Sequence, residues 1–139
     1  MGITLSDVAR RHLTLFEEVT GANGVDCVQE ADRLLVVVAR GGLGQAIGPR
    51  GRHVQAFEER IGQPVRLVED AEIAAEFVAN ALSPAAVYNV TISENRDTVA
   101  YVEVASEDRG VAIGAEGRTI EAARTLAERH FGIDDIQLI

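Results

Sequence analysis

Two short turns carry the residue types that could do chemistry in this chain: Gly48-Pro49-Arg50-Gly51 and Gly114-Ala115-Glu116-Gly117. Glycines three residues apart let a backbone turn sharply and leave no Cβ to keep a ligand's own backbone at a distance. The N–H groups that open a following helix are unpaired and lie at the positive end of its dipole, which favours a phosphate. Ile47 and Ile113, one residue before each turn, can pack beneath it or offer a face to a base. Arg52 and Arg118, one residue after, add a guanidinium able to pair with phosphate oxygens. The chemistry this implies is a grip on a sugar-phosphate strand. A lone Gly-x-x-Gly is a weak signal, since most are tight turns without a ligand.

The weight comes from repetition. Residues 44–56 align without gaps on residues 110–122, with identical pairs at Gly44/Gly110, Ala46/Ala112, Ile47/Ile113, Gly48/Gly114, Gly51/Gly117, Arg52/Arg118 and Ala56/Ala122. The offset of 66 is close to half of the 139 residues, so the simplest organisation is two copies of one unit, 1–69 and 70–139.

The elements that must position the turns follow the same division. Thr4 and Asp7 read as a capping box for an amphipathic helix carrying Leu5, Val8, Ala9, His12, Leu13, Phe16 and Val19, stopped at Gly21. Val25–Glu30 and Arg33–Ala39 read as strands joined by a short turn. A short apolar stretch, Leu43–Ile47, leads into the first turn; a helix Arg52–Ile61 leads out of it, with a strand Val65–Val68 beyond Gly62 and Pro64. In the second copy Asp70 is placed to cap a helix through Ala81, and strands are expected at Val87–Ile92 and Val99–Val104. The second turn then leads to a helix Arg118–Phe131 and a strand Ile136–Ile139. With no Ser/Gly/Pro-rich linker near Glu69–Glu72, a fixed tandem is expected.

Composition bounds the function. The chain has 13 basic and 22 acidic side chains, a net charge of −9, and every cation is Arg. An acidic excess without Lys suggests solubility maintained by carboxylates in concentrated salt, where the Debye length falls to about 3 Å at 1 M. A GC-rich genome favouring Arg codons is the alternative. A single Cys leaves no disulfide framework, and no apolar run approaches a membrane span or a leader, so a reduced cytoplasmic protein is expected.

Other residues offer less. Gly41-Gly42-Leu43-Gly44 lacks the Gly-Lys-Ser/Thr of a phosphate-binding loop and reads as a hairpin-to-helix connection. His12, His53 and His130 have no metal-ligand spacing; His12 reads as a core residue, and His53 adjoins the first turn, where it could touch a bound strand. Cys27 reads as a small buried side chain. No constellation supports catalysis, and neither a metal nor a cofactor is expected. With six aromatic residues and no Trp, stacking of bases on rings is not expected to dominate.

The stretches Ala46-Ile47-Gly48-Pro49-Arg50-Gly51-Arg52 and Ala112-Ile113-Gly114-Ala115-Glu116-Gly117-Arg118 resemble tandem KH domains of type II topology, and the whole layout resembles the archaeal NusA family. The resemblance implies an α+β fold, an α/β sandwich of two units, each a three-stranded mixed sheet covered on one face by helices. It implies a single-stranded RNA-binding factor in transcription elongation or termination, gripping about four nucleotides per unit. The expected contacts are Ile47, Gly48, Pro49, Arg50, Gly51 and Arg52, and Ile113, Gly114, Ala115, Glu116, Gly117 and Arg118. Glu116 departs from the basic residue many such loops carry, so the second unit is expected to bind more weakly or to orient the first. Expected partners are single-stranded RNA and RNA polymerase or the ribosome, with no membrane and a monomeric chain. The rival readings are a protein-interaction adaptor with degenerate RNA grips, a ribosome-associated RNA-processing factor, and a nucleotide enzyme, the last opposed by the absent motifs.

Overall fold

The first helix, α1 (Asp7–Thr20), begins where the Ser6 hydroxyl accepts the Ala9 N–H at 3.1 Å, and ends at Gly21, whose φ is 76°. The cap is therefore Ser6, not the Thr4–Asp7 box: a hydroxyl can reach the N–H three residues on only from the position just outside the helix. The structure, a computed structural model, describes residues 3–139. These divide into two compact units, the first ending at Asp70 and the second running from Ala71 to Ile139.

In the first unit β1 (Gly24–Gln29) pairs antiparallel with β2 (Leu34–Val38), which pairs parallel with β3 (Val65–Glu69). The crossover between the parallel strands contains α2 (Leu43–Ile47) and α3 (Arg52–Ile61). A parallel pair needs such a crossover, because no tight turn brings the chain back to the starting end of the strand. All five residues of β2 are buried, which explains its unbroken apolar run. Leu34, Val36 and Val38 join Leu13, Phe16, Ala46 and Phe57 in one core. Phe16 and Phe57 are fully buried and meet edge to face, with ring centroids 5.1 Å apart.

The second unit repeats the order with α4 (Ala74–Ala81), β4 (Val87–Glu94), β5 (Thr98–Val104), α5 (Arg109–Ile113), α6 (Arg118–Phe131) and β6 (Asp135–Leu138). Its sheet is also mixed, with β4 antiparallel and β6 parallel to the central β5. The fold is α+β: two three-stranded mixed sheets with helices. Asp70 does not cap α4, which starts at Ala74 behind Ile73 with no side-chain cap; the Asp70 N–H instead donates to Val38 O at 2.8 Å. His12 is half-buried rather than a core residue, and Cys27 is buried. Phe77, fully buried, stacks on His130 and leans on Phe131. Tyr88, on β4, is 67% exposed and takes no part in the core.

Removing a fully buried ring leaves a cavity as well as lost transfer energy. Phe57→Ala should therefore cost about 3–5 kcal/mol in chemical denaturation, whereas Glu18→Ala, on the exposed side of α1, should stay within about 0.5 kcal/mol.

Candidate nucleic-acid interface

Both turns have the same backbone. Gly48 and Gly114 have φ/ψ of 74°/174° and 82°/168°, the third residues Arg50 and Glu116 have 56°/27° and 56°/26°, and Gly51 and Gly117 have 74°/14° and 75°/13°. Arg50 and Glu116 are the non-glycine residues at positive φ among those described. An L-residue in that region is disfavoured by about 1–2 kcal/mol. Such outliers persist where the surrounding structure holds them. Here the holding bonds are Gly48 N–H to Gly44 O at 2.9 Å and Gly51 N–H to Gly48 O at 3.1 Å, mirrored by Gly114 to Gly110 and Gly117 to Gly114 at 2.9 and 3.0 Å.

The glycines of each turn have different jobs. A Cβ on Gly48 would lie 2.6 Å from His53 Nδ1, and one on Gly114 would lie 2.8 Å from the Thr119 backbone N, so the first glycine lets the next helix pack close. A Cβ on Gly51 or Gly117 would meet nothing within 4 Å; there the positive φ is the demand, and the surface above stays open. Helices α3 and α6 follow Gly51 and Gly117 with no side-chain cap, but their first N–H groups are not the free donors that the sequence suggests: the Arg52 N–H donates to Pro49 O and the Arg118 N–H to Ala115 O, closing each turn.

The predicted residues come together in each unit. Ile47 and Ile113 are 40% and 39% exposed, so they do not pack beneath the turns and instead present apolar faces beside them. Arg50 and Arg52 are exposed and make no hydrogen bond or ion pair among the described residues, so both guanidiniums are available. Arg118 is half-buried and has an interaction within the fold. Glu116 is exposed and without a partner among the described residues. The two turns therefore share a scaffold and carry opposite charge.

A groove of about 570 Å³ beside the second turn was not foreseen in the sequence; Ile113, Gly117, Ile120, Gln137 and Leu138 contribute to its lining. Only the pairing of β6 with β5 brings the last strand next to the turn. Two arginines on this groove are committed to the protein. Arg124 donates to Ile136 O at 2.9 Å, lies 2.9 Å from Asp135 Oδ1 and pairs with Glu121, while Arg109 donates to Ile139 O at 3.0 Å. Burial opposes ionisation of Asp135, but hydrogen bonds from Gln137, the Ile136 N–H and Arg124, with the Arg124 charge, outweigh it and hold the carboxyl below its ordinary 3.8.

Among the described residues no three His, Cys, Asp or Glu side chains gather as a metal site, and no helix is long and apolar enough to cross a membrane.

Two units of this order, each with a Gly-x-x-Gly turn between paired helices, define a protein of two KH-type units. Residues 74–138 match the family described as NusA-like second KH domain. The chain is 59% identical over 138 residues to the "Probable transcription termination protein NusA" of Halococcus morrhuae, and 60% identical over 138 residues to the protein of that name from Halobacterium salinarum; each match covers 99% of both chains. The crystal structure of APE1850 shares the fold, with a TM-score of 0.87 over 97% of this chain and 100% of that one at 24% identity. The chain belongs to the NusA family. Its relatives from halophilic archaea accord with the acidic, Lys-free composition.

The backbone geometry makes a stability test. Glu116→Gly should raise stability by about 1 kcal/mol by removing left-handed strain, while Gly48→Ala should lower it, because the methyl runs into the His53 ring. The lowered Asp135 titration stabilises the fold above the ordinary carboxylate range, and this is lost as pH falls through the lowered value. Asp135→Asn should therefore flatten the acid limb of a stability–pH curve below about pH 4.

Proposed function

We propose that this chain is a single-stranded RNA-binding transcription factor of the termination or elongation type, in which Gly48-Pro49-Arg50-Gly51 with Arg52 grips the RNA backbone and the second turn contributes less. The observation carrying this reading is the charge reversal on a shared backbone: Arg50 and Glu116 occupy the same left-handed position at φ 56°. A guanidinium there meets phosphate oxygens with two donors, and a carboxylate there repels them. Ile47 supplies the apolar face for a base, and the exposed Arg52 supplies a second guanidinium. In the second unit Ile113, Gly114, Ala115, Gly117 and Arg118 keep the shape of the grip around Glu116. The relatives' printed names supply the transcriptional context, with RNA polymerase as the proposed protein partner and the chain acting as a monomer in the cytoplasm.

An acidic protein in molar salt gains little from counterion release, so the grip must rest on short-range hydrogen bonds and apolar contacts. With about two guanidiniums engaged, the slope of log K against log salt for single strands should be shallow, about −1.4.

Fluorescence anisotropy of short RNA pools in molar KCl tests the reading. Pro49→Asp with Arg50→Asp should abolish binding without unfolding, since Asp tolerates the left-handed region better than most residues. The same changes at Ala115 and Glu116 should have little effect. Absence of binding by the folded wild type would favour the adaptor reading, in which Glu116 and the acidic surface meet a protein.

A further inference from the structure

The first unit contains a polar relay that the second lacks. The Thr20 hydroxyl donates to Phe16 O at 2.7 Å and accepts the Ala22 N–H at 3.1 Å, fixing the end of α1. The Gln45 side chain donates to Thr20 O at 2.9 Å, anchoring α2 there. The Gln45 carbonyl lies 2.7 Å from Nδ1 of His53, in the first turn of α3 and packed against Gly48. At the matching positions of the second unit stand Val111 and Thr119, so neither the amide nor the imidazole is repeated.

This contact decides the chemistry of the ring. A backbone carbonyl only accepts, so Nδ1 carries the proton, and in the neutral imidazole Nε2 is a lone-pair acceptor. Nε2 has no partner among the described residues. The other side chains that the first turn offers to a strand, the Arg50 and Arg52 guanidiniums, are donors suited to phosphate. A phosphodiester oxygen cannot satisfy an acceptor. The group on a sugar-phosphate backbone that can donate is the ribose 2′-hydroxyl, which DNA lacks.

Building on the RNA-binding reading, we propose that His53 accepts a hydrogen bond from a ribose 2′-hydroxyl through Nε2 and makes the first unit discriminate RNA from DNA. Thr20 and Gln45 are positioning residues for that ring. The second unit has the shorter Thr119 in place of the imidazole.

The test is anisotropy on the full chain in molar KCl at pH 8, with an RNA decamer pool, its uracil-containing DNA counterpart and its 2′-O-methyl counterpart. Wild type should bind RNA about 5-fold more tightly than either analogue, the worth of one hydrogen bond. His53→Thr, which installs the residue of the second unit, should lose that preference by weakening RNA binding to the DNA level while DNA binding and far-UV circular dichroism stay unchanged. Arg50→Asp should weaken RNA and DNA alike. An equal RNA-to-DNA ratio in wild type and His53→Thr, or a parallel loss on both nucleic acids, would overturn the assignment and leave His53 a structural staple. If wild type binds none of the three pools, the RNA-binding reading itself falls, and this assignment with it.

Discussion

A chain reversal of four residues between two helices, three of them at positive φ, is the constraint on which each unit depends. Helix α2 must end at Ile47 and α3 must start at Arg52, so the intervening backbone has no room for a relaxed loop. Glycine at the first and last positions meets most of that demand. The third residue meets it under strain, held by the Gly51 N–H to Gly48 O bond and by the packing of His53 against Gly48. The Arg52 N–H donates to Pro49 O and closes the reversal further, while the surface above Gly51 stays open. The second unit reproduces it to within about ten degrees, with Thr119 in the place of His53.

Because the scaffold is duplicated so closely, side-chain chemistry alone separates the two turns. Arg50 and Arg52 stand free of ion pairs, whereas the arginines on the second groove, Arg109 and Arg124, are bonded to carbonyls of the last strand and, for Arg124, to Glu121 and Asp135. A guanidinium tied to two carboxylates and a carbonyl contributes little to an incoming phosphate. The two turns thus share one backbone, the first carrying exposed guanidiniums and the second carrying Glu116. In concentrated salt, where long-range attraction is screened within a few ångströms, this local difference matters more than the net charge of −9.

Much of the fold was legible because it rests on local signals. The span Arg52–Ile61 follows from its apolar spacing and from Gly62, and Arg118–Phe131 from the corresponding pattern and Gly132. The apolar run at Leu34–Val38 marks a strand buried on both faces. Helix starts were less legible. Ser6 lies between the two members of an apparent capping box and takes the cap, and Asp70 belongs to the bonding of the first unit, where its N–H meets Val38 O. A capping residue is chosen by where the first turn actually closes, and several polar residues near a boundary offer the same chemistry.

The sequence by itself determined the two-unit organisation, the place of each turn and the charge difference between Arg50 and Glu116, because a repeat and its departures are properties of residue order. Only the tertiary structure decided which surfaces these residues meet. Ile47 and Ile113 could have packed beneath the turns and instead lie beside them, because Ala46 and Ala112 take the buried positions. His53 could have been an idle surface residue; its tautomer follows from a carbonyl eight residues away that helix packing places 2.7 Å from the ring. The second groove exists because parallel pairing carries Gln137 and Leu138 back beside the turn at Gly117. Contacts between segments distant in sequence arise when sheets and helices close on one core, and spacing along the chain does not encode those distances.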